Sequence, residues 1–152
     1  MTLSFQTISN TIAALSVSGV TLKDIDEVPT TGDRVPIILP RPDFITNFGL
    51  VEEETAMGAP SVREMTVSYT LNYRLLFKEA GAGRSNIIEA LNGLTEKIGL
   101  FLDAVLAMDD TSGVEDLVPS SNAVSNMGIV NAPDDVEYYG CDFHLDIIEH
   151  VN

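Results

Sequence analysis

The chain of 152 residues contains one cysteine, Cys141. That excludes an internal disulfide and leaves the apolar core to hold the fold. Basic residues are nearly as scarce: eight Lys and Arg stand against 23 Asp and Glu, a formal net charge of −15. A surface this acidic does not grip nucleic-acid phosphates through a broad basic face. No apolar run approaches the ~20 residues that a membrane-spanning helix needs. The opening "MTLSFQTISNTIAALS" has neither the basic start nor the cleavage site of a signal peptide, so it reads as part of the folded chain. No membrane partner is expected. Histidine occurs twice, and neither an internal repeat nor a low-complexity tract is evident.

What is present is an ordinary core-forming chain. Hydrophobic residues make up 45% of it and charged residues 20%, enough for one domain over residues 1–152. Phe5, Ile8, Ile12 and Leu15 recur at helical spacing, which predicts a helix over about 3–17 ended by Gly19. Residues 21–34 read as a polar connection. "VPIILPRP" (35–42) reads as a short edge strand, because proline cannot donate to a ladder. "MTVSYTLNYRLLF" (65–77) alternates strictly, with Met65, Val67, Tyr69, Leu71, Tyr73, Leu75 and Phe77 on one face. An amphipathic helix follows over about 86–107, with Ser85 as its N-cap and two interior glycines, Gly93 and Gly99, that suit close packing on a sheet. "EYYGCDFHLDIIEHV" (137–151) alternates again and places Cys141 on the apolar side. Long irregular stretches are expected at about 43–64 and 109–135, with a short strand at "MGIVN". The expected fold is α+β: a mainly antiparallel sheet of about four strands with two helices packed on one face.

The stretch most suggestive of chemistry is "FKEAGAGRSN" (77–86), a glycine-rich turn between strand and helix. A phosphate-binding loop would need Gly-x-x-x-x-Gly-Lys-Ser/Thr, but Lys78 stands where the first glycine belongs and Arg84 where the lysine belongs. A dinucleotide loop fails at Asn86. The glycines are therefore expected to serve the geometry of the turn. His144 and Asp146 share the outer face of the last strand, yet two ligands do not make a metal site. Asn72 and Arg74 are instead expected to pair with Asp142 or Asp146 across an exposed sheet face. "DDTSGVED" lacks the ligand spacing of a calcium loop. Scattered serines and two histidines give no triad at the level of sequence motif. Neither catalytic residue nor cofactor is expected, and an interaction protein is favoured over an enzyme.

The strand "VSYTLNYRLLF", the turn "KEAGAGRSN", the helix "IIEALNGLTEKIGLFLDAVL" and the ending "VEYYGCDFHLDIIEHV" together resemble tail-terminator and neck (head–tail joining) proteins of tailed bacteriophages. The resemblance implies a structural virion protein, present in the host cytoplasm during assembly. It would form a hexameric ring at the head-proximal end of the tail tube, stop tail polymerisation and join the head connector. Its partners would be copies of itself, the tail tube protein and neck proteins, with DNA passing through the lumen unread. Phe44, Phe48, Glu52, Glu53, Glu54, Lys78 and Arg84 are the expected subunit-interface or lumen residues. Another neck component, a tail-tube-like subunit or a capsid decoration module would share this texture; a small metal- or nucleotide-binding enzyme is the alternative from another class.

Overall fold

The computed structural model describes residues 3–27, 35–55, 63–80, 87–108 and 114–151. Among them, helices α1 (Phe5–Ala13) and α2 (Ile87–Leu106) accompany strands β1 (Thr21–Leu22), β2 (Ile37–Thr55), β3 (Arg63–Glu79), β4 (Val114–Asn131) and β5 (Glu137–Val151). The strands form one sheet in the order β1-β2-β3-β5-β4. Only β1 runs parallel to its neighbour. The architecture is thus α+β on a mostly antiparallel sheet, with one strand more than expected. The extra strand is Thr21–Leu22, part of the stretch that reads as a polar connection.

The centre of the sheet is the β3–β5 pair, the two segments whose alternation is cleanest. Val67, Tyr69, Leu71, Tyr73 and Leu75 from β3 and Cys141, Phe143, Leu145 and Ile147 from β5 are all buried, and they share one apolar cluster. Ile8 and Ile12 of α1, and Leu94, Phe101 and Val105 of α2, belong to the same cluster. Phe101 lies 4.6 Å from Phe143, centroid to centroid. Burial of such side chains is worth roughly 1.5–3 kcal/mol each, and this is what fixes the helices to the sheet. One charged residue continues the apolar row of β5. Glu149 is buried, and it accepts the Tyr69 hydroxyl at 2.6 Å and the Ser4 main-chain N–H at 2.7 Å. Ser4 precedes α1, so this carboxylate satisfies an amide at a helix N-terminus, where negative charge is favoured.

Strands β2 and β4 take up most of the two stretches expected as long loops; of those stretches, residues 56–62 and 109–113 lie outside the described residues. Residues 43–55 continue β2, and 114–131 form one strand. Both escape a period-two reading because their pairing slips. From Pro40 to Ile45 the partner on β3 moves only from Tyr73 to Leu71, and a second slip falls between Thr46 and Gly49. From Pro119 to Val124 the partner on β5 moves only from Leu145 to Phe143, and a second slip falls between Ser125 and Gly128. Such bulges reverse which residues face inward.

These two slips of β2 and the two of β4 are equivalent. "PRPDFITNFGLV" (40–51) and "PSSNAVSNMGIV" (119–130) align without a gap, sharing Pro, Asn, Gly and Val, with Ile/Val, Thr/Ser, Phe/Met and Leu/Ile between them. In each, the asparagine takes positive φ: 55° at Asn47 and 53° at Asn126. A pseudo-two-fold axis through the facing pair Asn72 and His144 carries β2–β3 onto β4–β5. An internal repeat therefore exists where none is evident from sequence; only eight or so of its positions are alike, and only the register makes them equivalent.

Candidate functional site

The second face of the sheet carries Thr70, Asn72 and Arg74 from β3 opposite Asp146, His144 and Asp142 from β5. It is not the exposed face that the sequence suggests. Ile37 and Leu39 of β2, Leu76 of β3, Val130 of β4 and Ala132 just after it form a second apolar cluster. Within the polar row on this face, Thr70, Asn72 and Asp142 are buried, and Arg74, His144 and Asp146 are partly exposed.

Asp142 is the centre of the first cross-strand tie. Its side chain is fully buried, and it accepts Arg74 Nε at 2.6 Å and Arg74 Nη2 at 3.1 Å. Arg41, in the wide bulge of β2, adds Nη1 at 3.0 Å, and Asn126, in the narrow bulge of β4, adds Nδ2 at 2.7 Å. One carboxylate thus takes donors from three other strands. Burial alone would raise its pKa, but the Arg74 and Asn126 hydrogen bonds and the charges of Arg74 and Arg41 outweigh burial and hold it below its ordinary value. The same hydrogen bond to Asp142 raises the Arg74 pKa against the opposing effect of burial. Arg74 also donates to the Asn131 carbonyl at 3.1 Å, and Arg41 pairs with Asp43 at 2.9 Å. The expected pairing of Arg74 with Asp142 is present.

The second tie lies one register step away. The buried Asn72 amide donates Nδ2 to the Asp43 carbonyl and to Thr46 Oγ1, both at 2.9 Å. Its Oδ1 faces His144 Nδ1 at 2.6 Å, and His144 Nε2 faces Ser125 Oγ at 2.6 Å. Asn72 therefore partners His144, not a carboxylate. Thr46–Asn72 and Ser125–His144 are the same contact in the two pseudo-symmetric halves. Asp146 accepts the Thr70 hydroxyl at 2.8 Å. Both groups of the His144/Asp146 metal reading are thus engaged in the sheet, and both histidine nitrogens have protein partners. Among the described residues, the three carboxylates close enough to share an ion are Asp24, Asp26 and Glu27 in the segment after β1. The innermost of them, Asp24, accepts the Ser9 hydroxyl and the Ile25 amide.

Of the expected interface residues, the side chains of Phe44, Phe48 and Lys78 fall among the described ones. Phe44 is buried edge-on against Tyr73 at 5.5 Å, within the main apolar cluster. The bulge that re-aims β2 turns it inward. Phe48 is 52% exposed and stacks on Tyr69 at 6.2 Å. Glu52, Glu53 and Glu54 lie on the distal part of β2, outside the described side chains. Lys78 is exposed near the end of β3. Arg84, with the glycine turn at 81–86, lies outside the described residues. Beyond the Arg74–Asp142 pair, sequence reasoning misses the members of the two ties because they come from four strands with no common motif. The signal available was the alternation itself, which places Asn72, Arg74, Asp142 and His144 on one face.

The chain matches no protein-family model and no curated protein.

Proposed function

We propose that the chain is a structural subunit of the neck of a tailed bacteriophage: a ring-forming tail terminator at the head-proximal end of the tail tube. In this reading both helices cover one face of the sheet, and the outer strands are the sites of assembly. The observation that carries it is the equivalence of the two sheet edges. Beyond its first residues β2 has no further strand beside it among the described residues, and neither does β4 on its outer side. Each presents an exposed apolar side chain at the same repeat position, Phe48 at 52% and Met127 at 48%. A chain with an apolar patch on each flank can join one flank to the next, and such head-to-tail contacts close into rings when the rotation allows. The bulges and prolines keep either edge from pairing indiscriminately with any strand. Acidic residues, Glu52, Glu53 and Glu54 foremost, would line a lumen that DNA crosses without adhering. Lys78 and Arg84 would meet carboxylates of the neighbouring subunit, and the tail tube and head connector would occupy the two ends of the ring.

The test is electron microscopy and native mass spectrometry of the purified protein, alone and with tail tubes. Rings alone or on tube ends are expected, and Phe48→Glu should prevent them while the monomer stays folded. A chain that stays monomeric at high concentration and also fails to cap tubes would overturn the reading.

A further inference from the structure

The geometry points to a second property of this molecule: Ser125 is an activated nucleophile, with His144 as its general base and Asn72 as a positioning residue. The tautomer follows from the hydrogen bonds. Asn72 Nδ2 is fixed by the Asp43 carbonyl and Thr46 Oγ1, so Oδ1 is the atom that faces the imidazole. An amide oxygen only accepts, so His144 Nδ1 carries the proton. Nε2 then presents its lone pair to the Ser125 hydroxyl at 2.6 Å. Nucleophile, base and orienting acceptor are thus joined in series, the relation that makes a serine reactive on unrelated folds.

The burial runs in the required sense. Asn72 is buried, while His144 and Ser125 are partly exposed, so the reactive end meets solvent and the orienting end does not. Beyond Ser125 the strand slips out of register, and Asn126 and Met127 fall outside the pairing with β5. An open depression of about 390 Å³ begins at the next residue, Asn126, and is lined further by Met127, Ile129, Val130, Asn131 and Arg74. The pseudo-symmetric half shows what the histidine adds. There Thr46 meets the amide of Asn72, which has no lone pair to take a proton.

The substrate class is a small carboxylic ester with a good leaving group. Ser125 Oγ bonds to the carbonyl carbon as its proton passes to His144 Nε2. The carbon–oxygen bond to the leaving group then breaks, and that group departs with the proton from Nε2. Water attacks the acyl-serine by the same route, which releases the acid and restores the hydroxyl.

The probe is p-nitrophenyl acetate on the full chain, read as a burst of nitrophenolate and as an acetyl group located by peptide mass spectrometry. Acetylation of Ser125 is expected. It should vanish in Ser125→Ala and slow by roughly a hundredfold or more in His144→Gln. Asn72→Leu should lower the acylation rate constant while leaving the half-saturating ester concentration unchanged, which a merely loosened fold would not do. Circular dichroism identifies variants that have failed to fold, and the site of acetylation in the unaltered protein depends on none of them. Absence of a Ser125 adduct, or label found only on lysine or tyrosine, overturns the inference.

Discussion

Asp142 and Arg74 face each other directly across the β3–β5 ladder, and the guanidinium meets the carboxylate through both Nε and Nη2. The carboxylate is fully buried, whereas the Arg74 side chain is 24% exposed. Removing Arg74 therefore leaves the buried carboxylate to Arg41 and Asn126 without its bidentate partner, while removing the carboxylate frees a group that can reach water. Arg74→Met should destabilise the protein by about 3 kcal/mol, the scale of a buried pair that loses one partner. Arg41→Met should cost less, ~1 kcal/mol, because Arg74 and Asn126 remain on Asp142. Urea unfolding of both variants checks the order. Equal losses would mean that Arg41 is as central as Arg74.

The depressed pKa of Asp142 sets a pH window. An unfolded aspartate titrates near ~3.9, and the folded one below that, so the folded state favours the ionised form. That stabilisation is fully present above the unfolded value and is lost as pH falls toward the folded value. The stability gap between the unaltered protein and Asp142→Asn should be constant from about pH 7 to 5 and shrink on further acidification. A gap that already closes between pH 7 and 6, or that widens in acid, would contradict the tie.

The parts of the fold legible in the sequence are those that keep one period throughout. β3 and β5 are central, paired on both sides and apolar on one face, so their alternation survives. β2 and β4 alternate only between slips. Pro40, Pro42 and Gly49, and their counterparts Pro119 and Gly128, look like loop punctuation although they mark bulges within strands. Phe44 and Phe48 are four residues apart in one stretch, yet one is core and the other surface. The ties at Asp142 and His144 depend on which β3 residue meets which β5 residue. No local pattern encodes that, because the partners are some seventy positions apart.

Cys141 tests the burial of the central strand without altering it. The thiol is fully buried, and burial first, then the neighbouring Asp142 charge, pushes its pKa up to about 12. The thiolate is the reactive form, so a disulfide reagent such as DTNB should leave the native protein untouched at pH 8 and titrate one thiol per chain in denaturant. Rapid reaction under native conditions would mean that β5 opens readily or is not central.

Gly93 and Gly99 of α2 look interchangeable in the sequence and should respond in opposite directions. A Cβ on Gly93 would come within 2.5 Å of the Phe77 ring, whereas one on Gly99 meets nothing within 4 Å. Close approach of helix to sheet is thus realised at one glycine only. Gly99→Ala gains the helix propensity of alanine over glycine, about 1 kcal/mol, with no steric penalty. Gly93→Ala gains the same propensity but forces Phe77 aside, and overpacking of this kind costs roughly 1–3 kcal/mol. Thermal or urea denaturation should place the Gly99 variant above the unaltered protein and the Gly93 variant level with it or below. If Gly93→Ala were as stabilising as Gly99→Ala, α2 would not lie against Phe77, and the seat of the helix on β3 would have to be redrawn.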